Sequence, residues 1–381
     1  MKCFLVLKAI FSLTTRQIQA EDNISNPYRR ISQHSHINKL LETLSDNQVL
    51  ELLKQGSCIQ SSCGKTIKIE LDGIPIFVKL LPLNAIEGNF MNIGSTNNLF
   101  ELPLYYQYGV GSAGFNVWRE LSVHVMTTKW VLDEESKNFP LMYHSRILEN
   151  FQEVDPINEK KFKRYIAYWG NSSAIANRYK ANLEASSNLI IFLEYIPETL
   201  NSWLTKELKK SDTAIDNAIA MVEKNLQEVF LFLNKKETLH FDGHFDNILT
   251  DGKHFYLSDF GLSISSEFTL SKEEVEFYKT HANYDRYYTV TNLVQWIIEN
   301  TFGKEALLDT LKMYADGRIP PFLPKKLTPY LSSIIKRYAP VCLKMTNFFD
   351  SLIKKTKDEP YPAAELDQLW SEMLLNSTEN D

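Results

Sequence analysis

The chain has 381 residues, 44% hydrophobic and 23% charged, with a formal net charge of −6. That length can bury a large core, as one two-lobed unit or two domains, and the composition excludes gross disorder. The acidic balance, with no basic stripe, argues against a nucleic-acid partner, because phosphate backbones are bound by basic surfaces.

The N-terminal run CFLVLKAIFSL looks faintly like a signal peptide, but Lys8 interrupts the apolar stretch and Ile18 before Ala20 is a poor cleavage context. The cytoplasm is the expected compartment, with export as an effector the alternative. No stretch approaches the roughly 20 apolar residues of a membrane span. Cys3, Cys58, Cys63 and Cys342 form no CxxC pair and have no histidine partners at finger spacing, so free thiols are expected.

Residues 21–45, polar and without a period, read as a loose lead-in or short cap. KTIKIELDGIPIFVKLL, from Lys65 to Leu81, alternates Ile67, Ile69 and Leu71 with polar residues, then carries Asp72-Gly73 and a second β-branched run. That pattern predicts a hairpin. Residues 82–104, rich in Asn and Gly, read as a long loop or insertion. YQYGVGSAGFNVWREL then sets Gly109, Gly111 and Gly114 at GxGxxG spacing, a pattern shared by dinucleotide fingerprints and kinase glycine loops. A dinucleotide fingerprint opens a domain, whereas about a hundred residues precede this one.

WRELSVHVMTTKWVL reads as a helix with Trp118, Leu121, Val125 and Leu132 on one side and Glu120 and His124 one turn apart. Residues 141–147 and 189–195 read as strands, the second nearly all apolar. From Asp212 to Leu233 the positions Ile215, Ile219, Val222, Leu226, Val229 and Leu233 define a buried helix face, with Thr213 and Asp216 as its capping box. Two short strands flank a loop at 240–258. From Ser271 onward the chain reads as helical, with breaks at Pro320, Pro329 and Pro340. The layout is a strand-rich front and a helical back, joined near residue 196.

The chemistry concentrates in LHFDGHFDNILTDGKHFYLSDFGLS, Leu239 to Ser263. Phosphoryl transfer needs a carboxylate to take up a hydroxyl proton, and an amide and a second carboxylate to hold magnesium against the phosphates. Asp242, Asn247 and Asp259 supply them in that order. With HxDxxxxN followed by DFG, the sequence resembles the protein kinase-like superfamily. The combination of IFVK, YQYGVGSAGF, WREL and HFDGHFDNILTDG is also similar to a group of uncharacterised bacterial kinase-like proteins, over roughly residues 50–300.

The resemblance implies an α+β, bilobal kinase-like fold. After a lead-in at 1–45, an antiparallel-sheet N-lobe with one key helix would span 46–195 and a mainly helical C-lobe 196–381. Its cofactors would be ATP and Mg²⁺. Lys79, ending the strand IFVK, would bind the α and β phosphates, and Glu120 would hold Lys79. The interval between them, 120 − 79 = 41 residues, is longer than the family usually shows and marks an insertion. In kinases the glycine loop precedes the lysine strand, so GVGSAG reads instead as the hinge into the Glu120 helix. The phosphate flap then falls on CIQSSCGKT, with Ser61, Ser62 and Gly64 at its turn, although this departs from GxGxxG. Glu194, Tyr195 and Ile196 would bind adenine through their backbone at the join between lobes. Asp285 is a candidate brace for the catalytic loop.

The resemblance implies a hydroxyl acceptor on either of two partner classes. DFG favours a protein Ser/Thr acceptor. His244, two residues after Asp242, resembles the aminoglycoside and choline phosphotransferases and would contact the γ-phosphate. Phe241 stands where an arginine would clamp a phosphorylated activation loop, so that control is not expected. A third reading, a catalytically silent pseudokinase binding a partner protein, is favoured by the irregular flap and opposed by the intact Lys79, Asp242, Asn247 and Asp259 set.

Overall fold

The structure, a computed structural model, describes residues 27–61, 64–149 and 157–378. It is a mixed α/β protein whose front is a five-stranded antiparallel sheet, ordered β1-β2-β3-β5-β4. The strands are β1 (Ser57–Ser61), β2 (Gly64–Leu71), β3 (Ile74–Leu83), β4 (Met142–Glu149) and β5 (Ser187–Glu194). β2 and β3 form the expected hairpin, pairing from Lys65 with Leu80 to Leu71 with Ile74. Its turn residues Asp72 and Gly73 have φ of 52° and 75°, the left-handed pair that a tight hairpin turn requires and Asp-Gly supplies. β3 also pairs with β5, which sets Lys79 opposite Ile191.

Alternation along β3 divides its side chains between the two faces of the sheet. Leu81 and Leu83 pack with Ile191, Leu193, Val117 and Trp118 beneath helix α3 (Val117–Leu132), and Lys79 shares their side. Ile76, Val78 and Leu80 join Ile67, Ile69 and Phe192 on the other. That side is covered by α1 (Pro27–Thr43) and α2 (Asp46–Gln55), through Ile37, Leu41, Val49 and Leu53.

Helix α1 corrects the reading of 21–45 as a loose lead-in: from Pro27 the segment is a 17-residue helix. Its apolar stripe is narrow, and Arg30 is buried by ion pairing rather than by hydrophobicity, so the helical period did not show. In α3 the same effect rotates the buried face. Val125, expected inside, is 51% exposed, while Arg119, Glu120 and His124 are buried.

Between β4 and β5 lie α4 (Glu159–Tyr168) and α5 (Ser173–Leu183). They close on the loop before α3 in a separate apolar cluster of Phe100, Leu102, Tyr106, Phe115, Ile166, Trp169 and Ile175. Residues 84–103 are loop and turn, as expected, whereas Pro82 and Leu83 still belong to β3 and Leu104 opens a 3-10 turn at Leu104–Gln107.

The back of the molecule begins with β6 (Glu198–Thr199), α6 (Leu200–Glu207) and α7 (Asp212–Lys235). On α7 the predicted face is buried, but the cap is Ser211, which accepts from the Ala214 amide. Thr213 and Asp216 do not form the predicted box, because the helix starts earlier, and Asp216 accepts instead from Thr328 Oγ1. Short strands β7 (Thr238–Leu239), β8 (Ile248–Thr250), β9 (Phe255–Leu257) and β10 (Ile264–Ser265) then frame two loops. Helices α8 (Lys272–Thr280), α9 (Tyr284–Thr301), α10 (Leu307–Ala315), α11 (Pro329–Lys354) and α12 (Ala363–Thr378) complete the described residues. Pro329 opens α11, and Pro340 lies inside it instead of breaking it. Buried Tyr338, Ala339, Val341, Cys342 and Met345 hold the helix across the missing hydrogen bond. Among the described residues no helix is long and apolar enough to cross a membrane.

Candidate functional site

The pleat of β3 delivers Lys79 to the side of the sheet beneath α3. Helix α3 starts at Asn116, whose side chain accepts from the Arg119 amide, and this places Glu120 in the first turn facing the lysine. Lys79 Nζ lies 2.5 Å from Glu120 Oε1 and 2.8 Å from Asp259 Oδ1. Burial works against the lysine's charge, but the two carboxylates outweigh it and raise its pKa above the ordinary value. For Asp259 burial likewise opposes ionisation, and the Lys79 ammonium prevails, holding the carboxyl at about 2. Both groups stay charged at neutral pH. His124, one turn beyond Glu120 as expected, is fully buried, with Nε2 3.9 Å from Glu120 Oε1 and its ring edge-on to Phe260 at 4.9 Å.

The loop after β7 presents Asp242. His240 is fully buried and its Nε2 lies 3.0 Å from the Ser258 carbonyl, which ties this loop to the one carrying Asp259. The amides of His240 and Phe241 donate to the two oxygens of Asp285, at 2.6 and 2.9 Å, so Asp285 of α9 braces the loop. Phe241 itself has φ 64°, an unfavourable region for a bulky side chain. It is held there by stacking on Tyr284, with ring centroids 4.4 Å apart. Asn247 Nδ2 donates to both the carbonyl and Oδ2 of Asp242 at 3.0 Å, and His244 Nε2 stands 3.8 Å from the same Oδ2. Burial pushes the Asp242 carboxyl up to about 6, against the pull of His244 and with the repulsion of Asp259.

These groups open on one cavity of about 540 Å³, lined by Lys79, Asp242, His244, Asn247 and Asp259 on one side and Leu193 to Ile196 on another. Ile59 and Thr66, from β1 and β2, reach its edge. Ser61 and Gly64 pair at the turn of that hairpin, while Ser62 lies outside the described residues. The structure therefore brings Lys79, Glu120, Asp242, His244, Asn247 and Asp259 together, with Glu194, Tyr195 and Ile196 across the cavity. The Glu194 carboxylate is committed elsewhere: Arg30 of α1 grips it at 2.9 and 2.7 Å and also donates to the Phe139 carbonyl at 2.6 Å.

Among the described residues no group of three or more His, Cys, Asp or Glu side chains is placed to hold a metal by itself. Asp259, kept ionised, and the amide oxygen of Asn247 are the hard oxygen donors a magnesium ion takes, with the rest of its coordination left to water and phosphate oxygens. The residues present fit that ion.

Sequence reading missed Arg30 and the placement of the glycine segment. Gly109 and Gly114 lead into α3 as expected, but they also pack on the acidic loops: a Cβ at Gly109 would lie 2.4 Å from Asp242 Oδ1, and one at Gly114 2.1 Å from the Gly261 carbonyl oxygen. The crowding of glycines was the available signal. Comparison of the chain with protein-family models, and with characterised proteins, finds no match.

Proposed function

We propose that this protein is a kinase-like, Mg-ATP-dependent phosphotransferase whose two halves act as lobes closing on the nucleotide. The observation that carries this reading is Lys79 held between Glu120 and Asp259, on the same cavity as the Asp242–Asn247 loop. A buried cation fixed by two carboxylates is preorganised to neutralise phosphate charge. Magnesium, when bound, would draw off negative charge from the transferring phosphates, with Asp259 and Asn247 as its protein ligands. The backbone of Glu194 to Ile196 would receive the adenine.

Asp242 orients the acceptor hydroxyl and takes its proton. The oxygen–hydrogen bond breaks, the acceptor oxygen bonds to the γ-phosphorus, and the bond from that phosphorus to the bridging oxygen breaks to release ADP. Lys79 stabilises the charge that develops on the leaving group.

The acceptor is a protein serine or threonine on the first reading. A small-molecule alcohol is the second, supported by His244 beside Asp242 and facing the cavity. One experiment tests both. The purified protein and its Asp242→Ala variant are incubated with γ-labelled ATP, Mg²⁺ and a cell extract, and macromolecules are separated from small solutes. Label on protein that disappears in the variant supports the first acceptor class, and label confined to small solutes the second. Nucleotide binding with no Asp242-dependent transfer would instead leave a silent, partner-binding protein.

A further inference from the structure

A second cavity, of about 230 Å³, lies between α7, α9 and α12. Its walls are apolar: Leu226 and Phe230 of α7, Leu293 of α9, Trp370 of α12, and Leu239 at the end of β7. Leu231 and Leu374 border it where it opens, and both are about half exposed.

The polar side chains around it are engaged within the protein, with one exception. Glu223 accepts from Arg337 Nη1 and Tyr338 Oη, and Gln227 Nε2 donates to the same hydroxyl at 3.1 Å. Asn234 Nδ2 donates to the Ala282 carbonyl at 2.6 Å, and Asn283 Nδ2 to Asp367 Oδ1 at 2.9 Å. Arg286 of α9 also lines the cavity, with its guanidinium 5.3 Å from the centre of the Trp370 ring, and among the described residues its side chain makes neither an ion pair nor a hydrogen bond. Stacking occupies the face of a guanidinium and leaves the N–H donors of its edge, the fork that matches a carboxylate.

The cavity also touches the catalytic loop. Asp285, which receives the His240 and Phe241 amides at 2.6 and 2.9 Å, is part of its lining, and Leu239 directly precedes His240.

We propose that this cavity binds a small monocarboxylic acid with an apolar body, and that its occupancy steadies the Asp242 loop through Leu239 and Asp285. The carboxylate pairs with Arg286, and the body lies against Leu226, Phe230, Leu239 and Trp370. The cavity is smaller than the roughly 300–1,000 Å³ that drug-sized ligands fill, which sets the ligand's size. Of the charged groups that line it, Glu223 is balanced by Arg337 and Asp285 is held by two amides, so Arg286 supplies the charge that a ligand meets. The cavity shares no lining residue with the nucleotide cavity, so its occupancy does not depend on phosphoryl transfer.

The test titrates the full chain with hydrocinnamate and with hydrocinnamyl alcohol, which keeps the body and loses the charge, by calorimetry. Wild type should bind the acid about 10-fold more tightly than the alcohol, the scale of one charge-assisted hydrogen bond. Arg286→Gln should remove that preference and leave the Kd for the alcohol unchanged, which a general loss of folded protein would not do. Leu231→Trp, a change at the exposed rim, narrows the opening and should weaken both ligands. Hydrogen exchange of the 239–242 amides should slow when the acid is added to wild type, and not when it is added to Leu231→Trp. Equal affinity of wild type for acid and alcohol, no saturable binding of either, or an Arg286→Gln effect on both alike would overturn the site. Unaltered exchange at 239–242 under saturating acid would overturn its link to the loop.

Discussion

Asp242 and Asp259 are two buried aspartates tuned in opposite directions, and the difference is consistent with the roles proposed for them. Asp259, held at about 2 beside Lys79, is an anion throughout the working range and suits a metal. Asp242, raised to about 6, exchanges its proton near neutrality and suits a general base. A base must be ionised, so kcat/KM should rise with pH through about 6 and level off above it, and a profile flat from pH 5 to 8 would contradict that role. The same shift has a stability sign. A raised carboxyl pKa stabilises the fold while the group is protonated, and this contribution is lost as pH rises from about 3.8 to about 6. Asp242→Asn should therefore abolish transfer yet raise the stability at pH 7 by on the order of 1–3 kcal/mol, read by denaturant unfolding. Asp259→Asn should do the reverse to binding, removing the magnesium-dependent part of ATP affinity in a direct titration.

Helix α3 carries Glu120 to Lys79, and what fixes α3 is the residue beside it. Arg119 Nη2 meets Glu274 Oε1 at 2.6 Å with both side chains almost fully buried, and Arg119 Nε donates to the Thr96 carbonyl at 2.7 Å. Glu274 also caps its own helix α8 through the Ser271 amide. Glu274→Gln leaves Arg119 buried without its counter-charge, which costs about 3–5 kcal/mol. The expected outcome is a lowered thermal midpoint together with weaker ATP binding, because Glu120 moves with the helix. Phe241, stacked on Phe277 and Tyr284, offers no charged group to a phosphate beside the Asp242 loop. Phosphatase treatment of the purified protein should accordingly leave its rate unchanged.

Elements whose stability comes from apolar periodicity were legible: the Asp72-Gly73 hairpin, β5 and α7. So was the meeting of Asp242, Asn247 and Asp259 at one cavity, because these residues lie close together in the chain. Helix α1 and the true buried face of α3 were not, because Arg30, Arg119, Glu120 and His124 enter the interior only with partners distant in sequence.

At the scale of the whole molecule, the apolar core runs from Ile37 and Leu41 of α1 through the sheet to Leu366 and Trp370 of α12. Helix α1 is thus part of the body that holds the site. Arg30→Ala removes the counter-charge of buried Glu194, which keeps the Leu141 amide at 3.0 Å, and should destabilise by about 3–5 kcal/mol in chemical unfolding. The pair also has a consequence in time. Arg30 and Glu194 are 164 residues apart in the chain. At about 5–20 residues per second on the ribosome, Arg30 waits roughly 8–33 s for its partner to be made. Over that interval α1 faces a sheet that still lacks β5, the strand that joins β3 to β4. The seat of α1 is therefore closed late in synthesis, when β5 enters between β3 and β4 and brings Glu194 to Arg30.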